Sequence, residues 1–281
     1  MGWLEPLTTF GRKLNLAAGF GFTVLILLIV SAVFAPWLAP FAPDQADFLV
    51  TLAPPGTEGY LLGTDTLGRD ILSRIVYGTR VTLIVGFLSV TLSALFGCFL
   101  GLLAGYLGGW LDAVVTRLTD VQLSFPFILL ALTISALFGA GLWNITLSLA
   151  IAGWPIYVRV VRSEVLRVKE QDFISAAHAL GARGNRTLWR HILPNIIGSI
   201  IVIATLQVSQ FIIAEATVSF LGFGVQPPTP AWGTMLSEGR TYLYVSWWIT
   251  VFPGLALFLT ALSMNLIGDW LRDWLDPTLR T

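Results

Sequence analysis

The sequence predicts an all-α, polytopic membrane protein with six transmembrane helices. Three observations carry this. Of 281 residues, 56% are hydrophobic and 11% charged, and the mean hydropathy is +0.79, whereas a soluble domain carries about 25% charged residues. The apolar residues fall into runs long enough to cross a hydrocarbon layer of roughly 30 Å. One long Arg-rich polar stretch, residues 169–195, is flanked by such runs and must lie outside the membrane.

Taken in order, residues 1–13 form a short head with Arg12 and Lys13. Residues 14–38 are the first span, closed by Pro36 and Pro40. A secretory signal competes for this stretch, because basic residues precede it. Its apolar part exceeds the ~7–15 residues of a signal core, so a retained anchor is expected. Residues 39–79 form a polar loop holding Gly63-Thr64-Asp65-Thr66-Leu67-Gly68-Arg69-Asp70. After it, Ile71, Ile75 and Val76 suggest a short amphipathic turn.

The second span covers residues 81–106. Gly86, Gly97, Gly101 and Gly105 share one helical face, and such spacing lets helices approach closely in lipid. The approach serves either packing within this chain or contact with a second subunit. Asp112, Arg117 and Asp120 mark the boundary before the third span, about 118–138, with Arg117 expected to pair with either aspartate. Pro126 is expected to bend that span. The fourth runs from Leu142 to about Val160 and contains Asn144 and Pro155.

The fifth span, 196–218, carries Gln207, Gln210 and Glu215. Polar groups at membrane depth normally face protein or water. Asn144, Gln207, Gln210 and Glu215 are therefore candidates for lining a translocation path, although Glu215 can also reach the interface. In 219–245, Leu221–Gly224 and Pro227, Pro228 and Pro230 forbid a continuous helix. Trp232, Tyr242, Tyr244, Trp247 and Trp248 are expected in an aromatic belt. The sixth span covers about 246–267, and the remaining tail reads as interfacial.

Charge sets the orientation. Six spans put both termini on one side, together with Arg12, Lys13, Arg117, Arg159, Arg162, Arg167, Lys169, Arg183, Arg186, Arg190, Arg272 and Arg280. The other side holds only Arg69, Arg74, Arg80 and Arg240, which completes the 16 Lys and Arg. The positive-inside rule then places both termini and the 169–195 loop in the cytoplasm.

That loop is patterned. Asp172 can cap a helix whose face is Phe173, Ile174, Ala177 and Leu180, with Gly181 as its left-handed stop. Asn185 can cap a second helix with Leu188, Trp189, Ile192 and Leu193 on one face, and Pro194 ends it or starts the next. Helices this short need a surface to bury their apolar sides. On pattern alone, the membrane interface, the chain's own helices and a partner protein are all open.

Ala176-Ala177, Gly181 and Leu193-Pro194 resemble, in identity and spacing, the EAA loop of importer permeases in ABC transporters. Ser175 stands where that family usually has Glu. The Gly63–Asp70 string is similar to one in the C-type permease subunit of dipeptide, oligopeptide and nickel importers. The resemblance implies that Asp172, Phe173, Ala176, Ala177, Leu180, Gly181, Leu193 and Pro194 couple to an ATPase. It divides the chain into a cytoplasmic head (1–13), a first helix (14–38), an external loop (39–79), a permease core (80–268) and a cytoplasmic tail (269–281).

It also implies a second homologous permease, two cytoplasmic ATPase domains and an external solute-binding protein, in a plasma or inner membrane. The implied cargo is di- or oligopeptides first and nickel second, with glutathione and haem still open. The residues themselves offer no phosphate-cradling Gly-x-x-x-x-Gly-Lys loop, so ATP and Mg belong to partners and the chain is expected to hold no cofactor. His178 and His191 lack zinc spacing, Cys98 sits in an apolar run as packing, and a net charge of zero gives no nucleic-acid signal. A stand-alone transporter or channel, and an intramembrane enzyme, are the rival classes. Intramembrane charges would support the first and a reactive constellation the second.

Overall fold

The computed structural model describes residues 16–182 and 184–275, and every regular element in that range is helical. The expected head, the start of the first span, Arg183 and the end of the tail lie outside the described residues. Helix α1 (Leu16–Val33) leads into the one-turn α2 (Ala35–Leu38), where Pro36 occupies a first-turn position that needs no N–H. Helix α3 (Ile71–Leu107) follows the outer loop, and α4 (Gly109–Leu123) and α5 (Phe127–Phe138) follow it. Then come α6 (Leu142–Lys169) and α7 (Asp172–Ala179). Helix α8 (Asn185–Thr187) runs through a π-helical turn, Leu188–Ile192, into α9 (Leu193–Phe220). Helices α10 (Trp232–Gly239) and α11 (Trp248–Leu275) complete the described chain.

Among the described residues, five helices are long and apolar enough to cross a membrane, and the bent α4–α5 pair brings the number to six when its two halves are counted as one broken span. The third span departs most from expectation. It is broken at Ser124–Pro126, and its halves meet at 90°. Pro126 disfavours a helical residue before it, so one rod becomes two. The amphipathic turn expected at 71–76 is instead the start of α3. Asp70 caps that helix, accepting from Ser73 N at 2.8 Å and Ser73 Oγ at 2.6 Å. At 37 residues α3 exceeds what a membrane needs. The fourth and sixth spans likewise run on, to Lys169 and Leu275.

The centre of the bundle is a parallel pairing of α3 and α6, held by small residues every fourth position. Ser89 Oγ donates to Thr146 O at 3.0 Å and Ser93 Oγ to Ala150 O at 2.8 Å. The same stripe then continues as glycine. A Cβ on Gly97 would stand 2.4 Å from Trp154 O, one on Gly101 2.9 Å from Val158 O, and one on Gly105 3.1 Å from Arg162 O. Each partner lies the same distance along the chain, so the two helices run side by side without slipping register. Lipid supplies no hydrophobic drive between helices, so close backbone approach and these hydroxyl bonds supply the adhesion. The glycine face thus serves packing within the chain, except that Gly86 turns to Ile212 of α9. Cys98 is half-buried among the same apolar side chains.

At one end of the bundle the Gly63–Asp70 string folds into a strap. Asp65 is buried and accepts from Leu67 N (2.8 Å), Arg69 N (3.0 Å) and Arg69 Nε (2.7 Å), and it pairs with Arg74 of α3. Glu238 of α10 bridges both guanidiniums, at 3.1 Å to Arg69 and 2.7 Å to Arg74. Gly68, at φ +73, passes so close to Asp47 that a Cβ would lie 1.7 Å from its carbonyl oxygen. The network ties the strap, the start of α3 and α10 into one unit.

The same region corrects the aromatic belt. Trp232 and Trp248 are core residues, at 0% and 7% exposure, while Tyr244 is 99% exposed. Burial is possible because each indole finds an acceptor: Trp232 Nε1 donates to Ile75 O and Trp248 Nε1 to Thr64 O, both at 3.1 Å. At the opposite end, Arg117 is not the partner of the nearby aspartates. Asp112 takes a bidentate pair from Arg162, and Asp120 takes Arg159 at 2.9 Å. Those arginines reach across from α6, so the pairs join two helices.

Candidate functional site

The polar loop forms a helical projection. Gln171 N–H donates to Val168 O at 3.1 Å in the turn that ends α6, and α7 begins with Asp172 as its first residue. Asp172 is therefore not the cap: Gln171 holds that position and makes no side-chain cap bond. The aspartate still places negative charge in the first turn, where the helix dipole favours it. At the other end, Gly181 has φ +89. Gly181 N donates to His178 O and Ala182 N to Ala177 O, both at 2.9 Å, a paired closure that satisfies the last carbonyls.

The apolar face expected on α7 is split. Ile174 is 1% exposed and packs into a cluster with Leu102, Val161, Val165, Leu188 and Ile192. Ala177 is half-buried beside it, but Phe173 is 39% and Leu180 89% exposed. Leu180 falls past the last helical residue, so it cannot follow Ile174 inward. Ala176 and Ser175 are also exposed. The second helix is not separate either. It merges with α9 through the π turn, where Leu193 N bonds back to Leu188 O and Pro194 enters the helix without a donor to place. Leu188 and Ile192 are buried, while Trp189 is 51% exposed. Lys169 Nζ donates to Tyr106 O at 2.9 Å, fixing the base of the projection to α3.

The second site is a groove at membrane depth. Gln207 and Gln210 of α9 line it together with Gln122, Phe125, Phe127 and Ile156. The 90° break between α4 and α5 opens this concavity. Gln122 was not singled out by the sequence, and its role follows from Pro155. That proline has no N–H for Ile151 O, and Gln122 Nε2 supplies the missing donor at 2.7 Å, with Ala152 O at 3.1 Å. A glutamine just before one proline break and a proline in the next span is the signal that was available.

Asn144 and Glu215 are not brought to this groove. Asn144 Nδ2 bonds Phe138 O (2.9 Å) and Gly139 O (3.2 Å), holding the α5–α6 turn. Glu215 is 0% exposed and reaches neither a path nor the interface. Its Oε1 accepts from Ser219 Oγ at 2.7 Å, and Ser219 in turn faces the glycine-rich turn before α10. Oε2 has no partner among the described residues.

A polytopic helical bundle with an exposed helical projection at one end and an amide-lined groove among its spans has the parts of a permease subunit. The chain belongs to the family of binding-protein-dependent transport system inner membrane components, whose pattern matches residues 97–281. Residues 13–55 match the N-terminal TM domain of oligopeptide transport permease C. The chain is 43% identical to the di/tripeptide transport system permease protein DppC of Pseudomonas aeruginosa, over 98% of this chain and 93% of that protein. It is 41% identical to the dipeptide transport system permease protein DppC of Haemophilus influenzae, over 96% and 94%. It is also 41% identical to the glutathione transport system permease protein GsiD of Pectobacterium atrosepticum, over 99% and 92%.

Proposed function

We propose that the chain is the passive translocation subunit of an ATP-driven importer of short peptides. Both termini and the α7 projection face the cytoplasm of a plasma or inner membrane. A second homologous permease completes the pathway, two ATPase domains bind ATP and Mg and hydrolyse the nucleotide, and an external solute-binding protein delivers cargo. The observation that carries this is the split face of α7. Ile174 anchors the helix to the bundle, while Phe173, Ala176, Leu180 and Trp189 stay exposed in a region of dense positive charge. An anchored helix with an uncovered apolar side suits a lever seated in a partner's groove. Motion of the partner then moves α6 and α9 with it, a population shift driven by differential nucleotide binding. The names of the relatives support peptides of two or three residues as cargo.

The test is proximity and coupling in the assembled importer. Ala176→Cys should cross-link to a cysteine on the ATPase subunit in intact cells. Gly181→Trp, whose first carbon would meet nothing of this chain within 4 Å, should leave ATP hydrolysis running and lower transport at least tenfold, and well below Gly181→Ala, which carries the same backbone strain at φ +89 without the bulk. Failure of Ala176→Cys to reach the ATPase, or labelling of it from outside the cell, would refute the assignment.

A further inference from the structure

We infer that Gln122, Gln207 and Gln210 form a subsite for the backbone of an extended peptide in transit. This rests on the import of short peptides proposed above. Gln207 and Gln210 lie roughly 20–25 Å along α9 from Leu193, near the middle of the span, and they are neighbours on one helical face. Among the described residues, neither carboxamide makes a hydrogen bond to the protein. Gln122 has spent its Nε2 on Ile151 O and Ala152 O, which leaves its Oε1 as a free acceptor. Unpaired amides are strongly disfavoured in hydrocarbon. The groove is therefore wet or filled, and its occupant must offer both donors and acceptors.

The chemistry of the lining selects the class of occupant. A carboxamide presents a donor and an acceptor side by side, the complement of a peptide unit. No Asp, Glu, Lys or Arg lines the groove. A fixed charge would trap cargo of the opposite sign and repel the rest, whereas amides bind what all peptides share. Phe125, Phe127, Leu130 and Ile156 supply an apolar wall for side chains of varied size. Gln122 sets the register, because its two bonds at the Pro155 kink hold its carbonyl oxygen in place.

The test uses the complete importer in liposomes, supplied with binding protein already loaded with trialanine or with its depsipeptide, in which one backbone N–H is replaced by an ester oxygen. The wild type should move the amide about three- to tenfold faster than the ester, the ratio one neutral hydrogen bond provides. Gln207→Leu or Gln210→Leu should bring the amide rate down to the ester rate. Gln210→Asn, which keeps the amide, should retain part of the preference. A wild-type ratio in both leucine variants would overturn the subsite alone, as would loss of assembly with the partner permease, which would make these glutamines an interface. Transport of neither compound by an active wild type would overturn the peptide reading and the subsite with it.

Discussion

Replacing Asp65 with alanine should be among the most damaging single changes outside the membrane. The carboxylate side chain is 1% exposed and is shared by Arg69 and Arg74, whose side chains are 8% and 3% exposed. In its absence both guanidiniums depend on Glu238 alone, and the N–H groups of Leu67 and Arg69 lose their acceptor. Breaking a buried ion pair from one side costs about 3–5 kcal/mol, because the surviving charge stays desolvated. Each orphaned N–H adds about 1–3 kcal/mol where water cannot reach it. Glu238→Gln offers the internal comparison. Its side chain is 25% exposed, so water can replace part of what is lost, and a cost of about 1–2 kcal/mol is expected. Chemical denaturation of the purified protein in mixed micelles, with protease cleavage of the 39–70 strap as a local readout, measures both. Asp65→Ala falling within 1 kcal/mol of the wild type, or Glu238→Gln costing as much as Asp65→Ala, would refute the strap as a clamp.

Two further outcomes follow from packing. Gly97→Leu should prevent α3 and α6 from closing, since even the first carbon would stand 2.4 Å from Trp154 O, and backbone cannot yield as a side chain does; the yield of folded protein should collapse, while Leu95→Ala, at a site 67% exposed, leaves it near normal. Gln122→Leu should lower stability by about 1–3 kcal/mol, because Ile151 O loses the donor that replaces the one Pro155 lacks, and the restoring change Pro155→Ala should recover most of it in a double-mutant cycle.

Much of the fold was legible in the chain because hydrocarbon is an unforgiving solvent. It requires long apolar runs, so the spans announced themselves. The Gly97, Gly101 and Gly105 spacing showed a close-packed face, and Gly181 showed where α7 must stop. These are local requirements of one helix or one turn. The partner of that glycine face was not legible, because a stripe of small residues fits any surface that comes close.

The rest depended on which segments meet. Arg162 and Arg159 reach Asp112 and Asp120 from another helix, so Arg117, though nearer in sequence, was displaced as their partner. Trp232 and Trp248 looked like interfacial residues, because their amphipathic chemistry suits a membrane face; carbonyls of Ile75 and Thr64, remote in the chain, allowed them to be buried instead. Gln122 gained its meaning only when the break at Pro126 laid it against the carbonyl freed by Pro155. Sequence alone determined the helical class and where the apolar spans fall, since each depends on a segment's own exchange with lipid and water. Tertiary structure decided which polar groups are spent inside the bundle and which are left free to meet a ligand, since hydrogen-bond partners are supplied by whatever the fold brings within reach.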